Sequence, residues 1–127
     1  MTPKEFLCSY VKEFNAKNVS SLMNMYETGA CFVIQPGQVV KGLENIRQSL
    51  QGFVDMNGNL QSNVKGVVQT NNLALITTEW SFSGTGPDRN PVDIGGKATD
   101  ILCQQSDGTW RILIDNPWGT DLSVLTD

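Results

Sequence analysis

Asp100 is the residue whose setting most suggests chemistry. Around it Val92, Ile94, Gly96, Ala98, Asp100 and Leu102 alternate along one side of the chain, the period of a strand with one buried face. A carboxylate on such a face is costly to ionise, so it must be protonated, paired or open to a cavity. A pocket satisfies any of the three. The competing reading is a strand-end acid met by Lys97, Arg111 or a backbone N–H. Tyr10 sits on an apolar stripe with Phe6, Leu7, Val11 and Phe14, where its hydroxyl can stand at a cavity edge and partner a buried acid. Gln35, just before Pro36, is either a turn cap or a neutral group that orients a ligand. Asn116 shares strand parity with Ile112 and Ile114 and reads as an inward amide. Trp80, Phe82 and Ile112 are core or pocket wall. Trp118, after Pro117, reads as the seal of a cavity or of a subunit contact. By the same parity Glu79 and Asp115 point away from the pocket.

Composition removes several kinds of chemistry. The chain has 127 residues and no histidine, so Ser-His-Asp, Cys-His and His-ligated metal sites are out. Acid–base work falls to carboxylates, tyrosine, lysine or cysteine. The three cysteines, Cys8, Cys31 and Cys103, are far apart and show no Cys-x-x-Cys, so neither a disulfide framework nor a zinc site is expected. No carboxylate cluster is spaced for a metal, and no cofactor is implied. Net charge is −4, and lysine and arginine are scattered singly, which argues against nucleic acid. No stretch is long and apolar enough to span a bilayer, and Met1-Thr2-Pro3-Lys4-Glu5 does not open like a signal peptide. The expectation is a cytoplasmic protein, residues 1–127 forming one domain.

The elements that must position these residues can be read in order. Thr2, Pro3 and Glu5 form a capping box for a first helix. Asn18 caps a second, carrying Val19, Leu22, Met23 and Tyr26 and stopped by Glu27-Thr28-Gly29. A strand over 30–35 breaks at Pro36-Gly37, and a short extended piece covers 38–41. Leu43, Ile46, Leu50, Phe53 and Val54 mark a third helix. Long strands follow over 60–69, 73–83 and 92–105, with a last one over 110–116 behind the Asp107-Gly108 turn. Helices early and antiparallel strands late define an α+β domain. Three helices on the concave face of a curved sheet would enclose a conical cavity, and Gly95-Gly96 is where the sheet is expected to bend or bulge.

The run Tyr10-Val11-Lys12-Glu13-Phe14-Asn15-Ala16-Lys17-Asn18-Val19, the stretch Phe32-Val33-Ile34-Gln35-Pro36 and Gly42-Leu43-Glu44-Asn45-Ile46 resemble the ketosteroid-isomerase-like branch of the NTF2-like superfamily. The ending Asp107-Gly108-Thr109-Trp110-Arg111-Ile112-Leu113-Ile114-Asp115-Asn116-Pro117-Trp118 is similar to its SnoaL-like and DUF4440-type members. The resemblance covers almost the whole chain. It implies an NTF2-like cone-shaped domain, three N-terminal helices packed on a strongly curved, mostly antiparallel sheet. In the isomerases a tyrosine and a protonated aspartic acid donate hydrogen bonds to an enolate oxygen, and a carboxylate before a proline moves the proton. Carried over, these positions are Tyr10, Asp100 and Gln35. An amide cannot take that proton, so the expected base is missing.

Three functions follow from this reading. The first is a small-molecule binding domain whose apolar pocket includes Tyr10, Phe14, Gln35, Trp80, Phe82, Asp100, Ile112, Asn116 and Trp118. The second is an isomerase, dehydratase or cyclase acting on a steroid- or polyketide-like carbonyl compound, with Asp100 and Tyr10 as oxyanion donors. The third is a dimerisation module. Leu73, Leu75, Ile101, Cys103 and Leu113 fall on strand faces opposite the pocket set, so a homodimer is expected under all three. The partner expected in the pocket is a small apolar or aromatic molecule.

Overall fold

In a computed structural model describing residues 1–121, the chain runs through α1 (Pro3–Asn15), α2 (Val19–Met23), β1 (Tyr26–Gln35), β2 (Gln38–Lys41), α3 (Leu43–Val54), β3 (Asn59–Thr70), β4 (Leu73–Thr85), β5 (Pro91–Gln104) and β6 (Trp110–Asp115). The six strands form one curved sheet in the order β2-β1-β6-β5-β4-β3. All neighbours are antiparallel except β1 and β6. The helices pack on one face, α1 against β3 and α3 against β1. This is the α+β cone.

The capping box forms as read: Thr2 Oγ1 accepts from Glu5 N–H at 3.1 Å, and Glu5 Oε1 accepts from Thr2 N–H at 3.1 Å. Asn18 caps α2 by accepting from Ser21 N–H at 3.2 Å. Tyr26, expected on the second helix, instead opens β1. The reason is pairing: Met25 C=O accepts from Ile112 N–H at 2.7 Å, which draws this stretch onto β6 immediately after α2. The Tyr26 ring is then buried in the core beside Leu22, Ile46, Ile76 and Leu102.

The inner face of β5 carries Val92, Ile94, Gly96, Ala98, Asp100 and Leu102, as the alternation requires. No bulge occurs at Gly95-Gly96, since β5 stays in register with β4 from Pro91 to Cys103. Gly95 serves a different need: a Cβ there would stand 2.7 Å from the Trp80 carbonyl oxygen, so only glycine allows that close approach. The bulges lie elsewhere. Register shifts occur in β1, between Val33 and Gln35 against β2 and between Tyr26 and Cys31 against β6, and in β3 between Val64 and Gly66. Another is in β6, where Ile101 pairs with Ile114 but Leu102 pairs with Ile112, leaving Leu113 as the extra residue. Inserting one residue exchanges the faces of all that follow. Ile114 therefore turns outward and Asp115 inward, the reverse of the simple alternation.

Asn15 fastens the end of α1 to the sheet. Its amide donates to the Leu60 carbonyl at 2.9 Å, and its oxygen accepts from Leu60 N–H at 2.7 Å. Replacing Asn15 by alanine leaves both Leu60 groups unmatched, and urea denaturation is expected to show a loss of about 1–3 kcal/mol.

Candidate functional site: an acid pair at the end of an aromatic cavity

Between helices and sheet lies a cavity of about 110 Å³. Its walls are largely apolar: Leu7, Phe14, Leu50, Phe53, Phe82 and Ile94 among others. Phe82 meets Phe14 and Phe53 edge-on, with centroids 6.0 Å apart in each pair. Trp80 and Trp118 form a further edge-on pair at 5.7 Å. Their indoles are held by backbone: Trp80 Nε1–H donates to Pro117 C=O at 2.7 Å, and Trp118 Nε1–H to Ile34 C=O at 3.0 Å. These two bonds tie the segment after β6 to β4 and β1.

The polar groups concentrate on Asp100 and Asp115, both lining the cavity. Asp100 is buried, and its Oδ1 accepts from Asn116 N–H at 2.7 Å. The two carboxyl groups are hydrogen-bonded to each other. Asp115 Oδ2 also accepts from Tyr26 Oη at 2.6 Å, and Tyr26 Oη contacts Tyr10 Oη at 2.6 Å. Burial, then the charge of Asp115, pushes the Asp100 carboxyl well above the usual carboxylate range. Burial also raises Asp115, to about 6, against the lowering effect of the bonds from Tyr26 and Asp100. Burial and then the Asp115 charge raise both tyrosines well above their ordinary range. At neutral pH the pair thus holds one proton and one negative charge between its two carboxyl groups.

Of the residues expected in the pocket, Tyr10, Phe14, Trp80, Phe82, Asp100 and Trp118 line the cavity. Gln35 does not. It is exposed, and its amide donates to Gln38 Oε1 at 3.0 Å across the β1–β2 turn. The even-numbered residues Phe32 and Ile34 face the cavity from β1, so Gln35 and Cys31 fall on the other side. Ile112 is core rather than wall. Asn116, one residue past the inward Asp115, lies on the opposite face; its amide donates to Thr99 Oγ1 and to Gly119 C=O, both at 2.8 Å. Glu79 faces out, as parity predicts, 3.8 Å from Lys65.

Asp115 is the group that sequence reasoning missed, and Tyr26 goes with it. A signal existed. Ile112, Leu113 and Ile114 are three successive apolar residues in a strand with one buried face, which marks a break in alternation. Of the competing partners for Asp100, Lys97 and Arg111 lie on the exposed side, whereas a backbone N–H, that of Asn116, does meet it.

This fold and cavity place the chain in the NTF2-like superfamily. It belongs to the SnoaL-like domain family, whose pattern matches residues 9–111. Among solved structures it is similar to an NTF2-like superfamily protein from Salmonella enterica serovar Typhimurium (14% identity, 96% of this chain and 93% of that one, TM-score 0.76). It is also similar to a ketosteroid isomerase-like protein from Erwinia carotovora atroseptica (14% identity, 88% of each chain, TM-score 0.75). A third is SalBIII, an epoxide hydrolase/cyclase-like enzyme in pyran ring formation in the polyether salinomycin (19% identity, 94% of this chain and 92% of that one, TM-score 0.71). At these identities the likeness establishes the fold. No curated protein matches the chain. Among the described residues, no helix is long and apolar enough to cross a membrane.

The acid pair makes a pH prediction whose sign is set by the raised values. Between the ordinary aspartate range and about 6, the folded state binds protons that the unfolded chain releases. Stability from Asp115 is therefore full below about pH 4 and declines as pH rises through about 6, and the raised Asp100 carries the decline to higher pH. The decline should be on the order of 2–3 kcal/mol in denaturant titrations. Asp115→Asn, which keeps an acceptor for Tyr26 but carries no charge, is expected to flatten that profile.

Proposed function

We propose that this domain binds a small, largely apolar molecule of about single-ring size, with one polar group held against Asp100 and Asp115. The observation that carries this is the placement of an acid pair, buried Asp100 and half-buried Asp115, on the wall of an otherwise aromatic and aliphatic cavity. Apolar walls supply affinity, and a few convergent polar groups fix orientation. The cavity volume of about 110 Å³ sets the size. An engineered apolar cavity of about 150 Å³ takes benzene, so this one holds about one ring and a four-ring steroid skeleton would project from its mouth. The direction of the protons weighs against the enolate chemistry of the isomerases: Tyr10 and Asp100 have theirs engaged with Tyr26 and Asp115. If proton abstraction occurs in this pocket, Asp115 is the carboxylate that faces it, in place of Gln35.

A second reading concerns assembly. On the outer sheet face Val68, Leu75, Ile101, Ile114 and Cys31 stand side by side in register across β3, β4, β5, β6 and β1. Val68 is 67% exposed, Leu75 39% and Ile114 38%. A continuous apolar row of this kind favours pairing with a second copy of the chain.

Two outcomes are expected. In thermal-shift assays, single-ring compounds raise the melting temperature and steroids do not; a ligand at about 100 times its Kd stabilises by about 2.7 kcal/mol. Ala98→Leu, which fills the cavity from β5, removes that shift, and a panel with no active compound would sink the pocket reading. In light scattering the protein is a dimer and Ile114→Asp is a folded monomer; a monomeric wild type at micromolar concentration would refute the assembly.

A further inference from the structure

The class of ligand follows from counting protons at the acid end of the cavity, and the inference rests on the pocket reading above. Tyr26 Oη has a single proton and gives it to Asp115 Oδ2. The 2.6 Å contact between the two phenols is therefore made with the proton of Tyr10. The proton that Asp100 and Asp115 retain is shared between the two carboxyl groups. Every proton of the four-residue network is used within the network. What Tyr10, Asp100 and Asp115 present to the cavity is lone pairs, with one negative charge behind them.

An independent feature points the same way. Thr78, on the inner face of β4, lines this cavity, and among the described residues its hydroxyl makes no hydrogen bond within the protein. No buried polar side-chain atom of the described residues lacks a partner, so this hydroxyl opens onto the cavity, where a ligand or solvent can meet it. No lysine or arginine contributes to the cavity wall among the described residues. The carboxylate charge is thus stabilised by hydrogen bonds alone, without a counter-cation.

We propose that the pocket takes a small organic cation, a primary amine carried on a single ring, with its ammonium group seated among Asp115, Tyr10 and Thr78. An ammonium brings three donors and no acceptor, the complement of this wall. Trp80 and Trp118 add aromatic faces that attract a cation. An alcohol supplies one donor and no charge, and a carboxylate is repelled. The groups facing Asp115 are Tyr10 from α1, Tyr26 from β1 and Asp100 from β5, and none of them is cationic. Amine binding should therefore weaken as pH falls through about 6, where Asp115 takes up its proton.

The test is calorimetric titration of the full chain with benzylamine, benzyl alcohol and benzoate, near pH 7.5 and again near pH 5. Benzylamine is expected to bind at least about tenfold tighter than benzyl alcohol at the higher pH, with benzoate weakest. That preference should shrink at the lower pH and vanish in Asp115→Asn. Thr78→Val keeps the charge and the fold's packing, and is expected to weaken benzylamine several-fold, which guards against a misfolded Asp115 variant. Benzyl alcohol or benzoate binding as tightly as benzylamine overturns the amine assignment and leaves the pocket reading standing. Binding by none of the three overturns both.

Discussion

One extra residue in β6 decides how this domain uses its sheet. Leu113 has no partner opposite the Ile101–Leu102 step, so the strand changes face between Ile112 and Ile114. Upstream, Trp110 and Ile112 pack into the core; downstream, Asp115 faces the cavity and Ile114 the outside. Without the bulge an isoleucine would stand beside Asp100, and Asp115 would join the outer apolar row as an isolated charge. Both the polar site and the outer apolar row depend on this irregularity, together with the register shifts in β1 and β3 that bring Cys31 and Val68 into line.

Bringing two aspartates together in an apolar cavity has an electrostatic consequence. Two full charges at hydrogen-bonding distance inside a low-dielectric region repel too strongly to coexist, so the pair retains one proton. Tyr26 and the Asn116 N–H then stabilise the charge that remains. Tyr10 is bound into the same network through Tyr26, and its ring also packs against Phe14, with centroids 6.4 Å apart. The chemistry of the site is thus a property of four groups contributed by α1, β1, β5 and β6, and no one of them can be assigned a protonation state alone.

Gln35 sits at the exposed end of the β1–β2 hairpin. The carboxylate that faces the cavity beside this strand is Asp115, on the neighbouring β6. The two tryptophans then fix the chain beyond Asp115, because Trp80 holds Pro117 and Trp118 holds Ile34. A common fold therefore coexists with a different arrangement of charge, which is why the fold alone does not specify an activity.

Local patterns were enough to reveal much of this protein. The capping residues Thr2 and Asn18, the period-two alternation through Asp100, and the turn at Asp107-Gly108 act over a few neighbouring residues, so they are legible in order along the chain. The absence of histidine and the inward direction of Asp100, Trp80 and Phe82 were settled at that level. What only tertiary structure decided was the partner of Asp100. Asp115 reaches it through a register shift between β5 and β6, and Tyr26 reaches Asp115 from 89 residues away through the parallel pairing of β1 with β6. Register depends on which backbone groups find each other across the sheet, an energy summed over several strands, and no short stretch of sequence contains that sum.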